Sequence, residues 1–498
     1  MKKQTITLLT ALALLLFADS ISGNNIAVTN TKVTGQNTNA GVDNPANHIL
    51  VQFDLNWENS WRTSSEPNNW DAAWVFVKYR LSGGEWQHAS LNNNGHSGAA
   101  AAIDAGLLDP GSAFNASTNP ALGVFIYRSA DGTGTVSMSG AQLRWNYGAN
   151  GLSDDAIVDV KVFAIEMVYV SEGAFAAGSG GSETSCFTLT TINTANATTA
   201  PTGAGSLGGQ AGGYPTGQTA PDNASWPNGF SAFYCMKYEI SQQQYVDFLN
   251  TLTQTQANNR KYNGSDYRYA ITGTTIGSYA TTNPYVACNF LSWVDGAAYS
   301  DWAGLRPMTE LEYEKACRGT VAPVANEYAW GTNTVAGSAY TLDNDGAADE
   351  GITANYSTSA GNASYMPTDG GIDGPLRVGI FAANAANSGR ITAGASYYGI
   401  MELSGNLYER TVTVGNPEGR AYTGVHGNGI LSGNGKANET AWPGFISGEV
   451  TVATGSGFRG GGFSNFITGL QVSDRNIAAE TDNYRYGDVG FRSVRSVQ

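Results

Sequence analysis

The sequence predicts an α+β protein, with an N-terminal antiparallel β-sandwich followed by a mixed unit that contains short helices. Two observations carry this reading. Residues 24 to about 165 hold alternating and β-branched runs, separated by clusters of Gly, Asn and Asp, with no long helical period. Beyond residue 230, Ser and Thr residues are followed three positions later by Gln, Asp or Glu, which is how a helix start is capped.

The strand runs of the first unit are Ile49–Leu55, Ala73–Tyr79, Gly123–Tyr127 and Ala156–Phe163. Trp57, Trp61, Trp70 and Trp74 fall within eighteen residues, and such rings either fill a sandwich core or form a stacking platform for a carbohydrate. Core filling is the expectation. Residues 180–230 are rich in Gly, Thr, Ala, Ser and Asn and read as a flexible surface excursion. Ser241 then caps a helix with Gln244 completing the box, and Tyr245, Phe248, Leu249 and Leu252 recur at helical spacing as its core face. A second helix starts at Ser292 and stops at Gly304. A third starts at Thr309 and stops at Gly319. The run Asp343–Glu350 opens like a calcium loop but lacks the EF-hand acid at its required offset, so it reads as a solvated turn.

Composition narrows the partners and the compartment. The formal net charge of −15 argues against nucleic acid and anionic membranes. Apolar residues make up 41% of the 498, enough for sizeable cores. Lys2 and Lys3 precede a short apolar run from Thr5 to Phe17, and small residues follow to Gly23, so residues 1–23 read as a secretory signal peptide. No later stretch reads as a membrane span. The expected location is secreted: extracellular, periplasmic or at the cell surface. Export permits disulfides among Cys186, Cys235, Cys288 and Cys317, whose three possible connectivities the sequence leaves open.

The most informative stretch is Gly399-Ile400-Met401-Glu402-Leu403-Ser404-Gly405-Asn406-Leu407-Tyr408-Glu409-Arg410. Two carboxylates bracket a turn that Gly405 can fold tightly, and a hard cation takes such carboxylates together with backbone carbonyls. The stretch resembles the G-L-x-D-M-x-G-N-V-W-E-W signature of the formylglycine-generating-enzyme (sulfatase-modifying factor) family. Ile165–Ser179 resembles that family's entry strand, and Ser292–Gly319 resembles its S-W-x-D … L-P-T-E-x-E-W-E-x-A-A-R-G run. Phe458–Phe463, Arg475 and Gly490-Phe491-Arg492 resemble its closing motifs. The resemblance spans residues 166–498, sets a boundary near 165, and implies a C-type-lectin-like fold for that part.

The resemblance also implies structural calcium, with Glu402 and Glu409 as ligands through carboxylates and Gly405 and Leu407 through carbonyls. A second calcium position is implied at Asn355 and Tyr356, with Asp373 nearby. Oxidases of the family bind copper(I) with two cysteines, and copper(I) favours soft thiolates. Those positions hold Asn465 and Leu470 here, so no copper is expected. A sulfoxide-forming branch uses a histidine cluster for iron. Only His426 of the four histidines lies in this part, so no iron is expected. The resulting expectation is a noncatalytic, calcium-stabilised structural or interaction protein with a protein or glycan partner, or one that self-assembles. The alternative is an enzyme of this fold with a non-standard site. The last loops before the terminal strand supply the candidate binding face: Asn465, Phe466, Tyr484, Arg485 and Tyr486.

Overall fold

A computed structural model describes residues 26–199 and 221–497. The signal-peptide reading of residues 1–23 and the middle of the 180–230 stretch fall outside the described residues.

The first unit is built from β1 (Ala27–Asn37), β2 (His48–Arg62), β3 (Asp71–Leu81), β4 (Gln87–His88), β5 (Ala101–Leu107), β6 (Ala121–Arg128), β7 (Gly132–Trp145) and β8 (Val158–Val170). β1, β2 and β7 form one antiparallel sheet. The second sheet runs β5-β6-β3-β8 and continues through the strands Phe233–Met236, Ser493–Ser496 and Arg306–Pro307, with β4 paired to β3. β8 pairs with all of β3 in one register, Asp71 opposite Val168 and Leu81 opposite Val158. On its other edge it pairs with Phe233–Met236. Residue 165 therefore lies inside a strand, and one sheet passes through both units.

That sheet is covered on both faces. Alternate residues of a strand point to opposite sides. Ala73, Val75, Val77 and Tyr79 of β3 join Phe53, Leu55, Trp57, Leu143 and Trp145 in the sandwich core. Ala72, Trp74 and Phe76 point the other way and join Phe163, Ile165, Phe248, Tyr299 and Trp302 under the helices. A strand buried on both faces has to be apolar almost without interruption, which accounts for the unbroken run Ala72–Val77. Trp74 is fully buried at this junction. Its Nε1 donates to the Ala303 carbonyl at 2.9 Å. A Cβ at Gly106 would stand 2.5 Å from its ring, so that position must stay glycine.

The helices of two turns or more that follow among the described residues are α1 (Gln242–Leu249), α2 (Gln254–Arg260), α3 (Trp293–Trp302) and α4 (Glu310–Arg318). Each opens on a capping box, respectively Ser241 with Gln244, Thr253 with Gln256, Ser292 with Asp295, and Thr309 with Glu312. Tyr245, Phe248, Leu249 and Leu252 are buried, as their spacing predicts. α2 was not anticipated, although its Thr-x-x-Gln signal is present. Beyond α4 the chain is mostly loops. The strand Tyr408–Val412 lies antiparallel to Ser456–Arg459 and parallel to Val489–Gly490.

Three sequence expectations change here. The described flanks of the 180–230 stretch are anchored, because Phe187, Ile192 and Trp226 enter the main core. The Asp343–Glu350 turn is not wholly solvated: Glu350 is buried, accepts from the amides of Gly346 and Arg377, and pairs with Arg268. The four cysteines are free thiols, three of them buried. Among the clustered tryptophans, Trp57 and Trp74 are core, whereas Trp61 and Trp70 are half-buried.

Because Trp74 belongs to the layer shared by both units, Trp74→Ala should cost about 3–5 kcal/mol. It should lower a single calorimetric transition for the whole chain. Two resolved transitions, only one of them shifted, would refute the coupling.

Candidate functional site

The framework of the site is α4. Glu310, Glu314 and Arg318 share one face of this helix, and all three side chains are excluded from solvent. Glu310 pairs with Arg459 at 3.0 Å and with Arg475 at 2.7 Å. Glu314 pairs with Arg459 at 2.9 Å and with Arg318 at 3.0 Å, and accepts from the Gly178 amide at 2.7 Å. Arg318 also reaches Glu327. Burial by itself would raise the Glu310 carboxyl, but Arg475 and Arg459 hold it below the usual carboxylate range. These acids and guanidiniums fix the loops that surround the 399–410 stretch.

Within that stretch Glu402, Gly405 and Asn406 all adopt positive φ, at 55°, 94° and 70°. Gly405 is required for space as well, since a Cβ there would meet the Ser364 carbonyl at 2.6 Å. Asn406 locks the turn. Its Nδ2 donates to Glu239 at 2.5 Å, and its Oδ1 accepts from the Leu376 amide at 2.7 Å. The Leu407 amide donates to the other Glu239 oxygen at 2.9 Å. Glu402 accepts through Oε1 from the Gly379 amide at 2.9 Å, and Glu409 accepts through Oε1 from Arg492 at 2.7 Å. The Oε2 atoms of Glu402 and Glu409 are buried without a hydrogen-bond partner. Burial pushes Glu402 up to about 7 and raises Glu409 and Glu239 as well.

Two unmatched carboxylate oxygens beside a turn rich in carbonyls suit a hard cation in chemistry. Among the described residues, however, no group of three or more His, Cys, Asp or Glu converges as a metal site. Any calcium there would take its remaining ligands from carbonyls, such as those of Gly405 and Leu407. At the second implied position, Asn355 donates to the Ala339 carbonyl at 2.6 Å and the Tyr356 hydroxyl to the Thr392 carbonyl at 2.7 Å. Glu239 and Arg492 do more at this turn than its spacing suggests. Arg492 closes the Gly490-Phe491-Arg492 motif, but nothing in the separation of Glu239 or Arg492 joins them to Glu409.

The candidate face divides into braced and free residues. The Asn465 side chain accepts from the Gly462 amide at 2.7 Å and shapes its own turn. Arg485 is clamped to Asp295 at 2.7 Å and to the Asn259 carbonyl at 2.7 Å. Leu470 is core. Phe466 and Tyr484 are each 70% exposed and Tyr486 is 41% exposed, so none of the three rings packs the interior. Tyr484 and Tyr486 meet edge to face at 6.1 Å. Tyr267, Met366 and Ile467 are also exposed. Tyr267, Met366 and Tyr486 line one cleft of about 480 Å³ with Asp369, Asp373 and Asp488.

A mostly stranded α+β chain, with this capped α4 and its buried arginine partners, defines the class. Residues 164–497 match the family described as the sulfatase-modifying factor enzyme 1-like domain, and the chain belongs to that family. No curated protein matches. Of 36 matching solved chains, one is the Major Tropism Determinant U1 variant, at 15% identity and a TM-score of 0.23, covering 66% of this chain and 72% of that one.

The raised Glu402 sets a pH dependence. Between about 4.5 and about 7 the folded chain keeps a proton that the unfolded chain has released, so stability falls as pH rises through that window. In chelator, thermal melts should therefore show Tm falling from pH 5 to pH 7.5, and Glu402→Gln should flatten the slope. An unchanged slope in the variant would remove Glu402 as its source.

Proposed function

We propose that this chain is a noncatalytic interaction or structural protein, exported to the cell surface or into an extracellular assembly, with calcium bound at the 402–409 turn. The observation that carries the reading is the exposed aromatic face of Phe466, Tyr484 and Tyr486. Tyrosine and phenylalanine rings left in water on braced loops are suited to burial against a partner. Asn465 and Leu470 at the positions of the oxidase cysteines support the absence of copper chemistry, since an amide and a buried aliphatic side chain are not copper(I) ligands. The partner class is a protein, a glycan or a second copy of the chain. The charge of −15 disfavours nucleic acid. No helix among the described residues is long and apolar enough to cross a membrane.

Calcium bound only by the folded chain stabilises it by roughly 3 kcal/mol at a hundredfold excess over its Kd. Chelation should lower Tm accordingly, and Glu402→Gln should abolish the response. A melting curve indifferent to calcium in the native chain would sink that part of the reading.

The face itself is tested by combining Phe466→Ala, Tyr484→Ala and Tyr486→Ala. Because the rings are exposed, the loss of stability should stay near about 0.5 kcal/mol per site. Self-association, followed by sedimentation, and binding of uncharged saccharides, followed on a glycan array, should both fall to background. A stable triple variant that keeps whatever association the native chain shows would move the working surface elsewhere.

A further inference from the structure

A second cleft, of about 480 Å³, lies at the seam between the two units and is far from neutral. Lys237, Arg377 and Arg390 line it, and no Asp or Glu does, although the chain as a whole carries a charge of −15. Lys237 is neutralised from behind by Glu166 at 3.0 Å and Asp71 at 3.3 Å. The two arginines have no carboxylate at ion-pair distance, and Glu402 and Glu327 act on Arg377 and Arg390 only from farther away. Arg377 donates through Nε to the Glu350 carbonyl at 2.8 Å, while the Glu350 carboxylate is taken up by Arg268 and by the amides of Gly346 and Arg377. Arg390 donates to the carbonyls of Ala329 at 2.8 Å and Cys317 at 3.3 Å. Neither forms an ion pair with a carboxylate among the described residues. Arg377 is largely buried and engaged only through Nε, which leaves its two terminal nitrogens to meet a planar anion through parallel donors, while half-buried Arg390, held through Nε and Nη2 by the Ala395, Cys317 and Ala329 carbonyls, adds one further terminal nitrogen.

The rest of the lining supplies more than charge. Trp61 from β2 forms one wall, its Nε1 fixed by Asn69 at 3.2 Å, and Tyr397 stands beneath Arg390 at 5.6 Å. Asn387 also lines the cleft, its amide engaged by the Ala382 carbonyl, the Gly389 amide and the Thr392 hydroxyl. Aromatic walls with guanidinium groups fit a ring that has one apolar face and one negative charge. Glu66 at the rim accepts from the Tyr397 hydroxyl at 3.1 Å, so it is turned to that ring. Glu402 and Glu327 lie behind the lining, engaged by the Gly379 amide and by Arg318.

We propose that this seam cleft binds an acidic saccharide, a sugar ring bearing a carboxylate, with Arg377 and Arg390 on the carboxylate and Trp61 against the ring. The inference rests on neither calcium nor the exposed aromatic face.

Calorimetric titration of the full chain with galacturonate, galactose and inorganic phosphate tests it. Galacturonate should bind, and galactose should bind about tenfold more weakly or not at all, since each charge-assisted contact contributes on the order of a tenfold change. Arg390→Gln should weaken galacturonate by a similar factor. Because Arg390 also braces the 317 and 329 carbonyls, a second variant, Ala383→Trp, fills the mouth of the cleft from an exposed position and should abolish binding with Tm unchanged. No binding of galacturonate, or equal binding of galactose, overturns the proposal. Phosphate binding as tight as galacturonate overturns the ring assignment and leaves a bare anion hole. Undiminished galacturonate binding by a folded Ala383→Trp chain places the site elsewhere and also overturns it.

Discussion

The interaction on which the rest of the structure depends is the buried lattice of carboxylates and guanidiniums on α4. Glu310, Glu314, Arg318, Arg459 and Arg475 are all withdrawn from solvent, and each group has a partner of opposite charge. Withdrawing an ion from water costs several kcal/mol, which only close, multiply bonded partners recover. The geometry is therefore demanding. Arg459 stands on a strand paired with Tyr408–Val412, and Arg475 lies in a loop far along the chain from α4. Loops with little regular structure are in this way given fixed positions that apolar packing alone would leave loose.

A second constraint runs perpendicular to the first. The sheet that carries β3 and β8 has no solvent face in its middle, because the sandwich covers one side and the helices the other. Lys237 marks the same seam in charge: it directly follows the strand beside β8 and pairs with Asp71 of β3 and Glu166 of β8. The basic cleft opens along this seam, with Trp61 contributed from one side and Arg377 and Arg390 from the other.

Much of this was legible in the sequence, because capping and periodicity are local. Ser241, Ser292 and Thr309 announce their helices through one side chain three residues away. The apolar run of β3 announces a strand. The tight turn at Gly405 follows from the residue type itself. What escaped notice depends on contacts between distant segments. Nothing near Phe187 or Trp226 shows that they reach the core, since their neighbours are small and polar. The burial of Glu350 depends on Arg268 and Arg377, which its own acidic run does not reveal. Arg485 reads as a free cation until Asp295 is brought beside it. Phe466 and Tyr484 could equally have been core, and only the fold separates those cases.

The placement of residue 165 inside β8 bears on how such a protein can be modified. Chains assembled from beads on a string tolerate exchange at their joints, because a joint carries few contacts. Here the apparent joint is a strand hydrogen-bonded on both edges, to β3 and to Phe233–Met236. A splice at that position would graft half a strand from one parent onto half from another and would separate Lys237 from its partner Asp71. Variation is admissible at the rims instead, in the turns between strands and in the loops beyond α4. The seam is the part of the molecule least free to be traded.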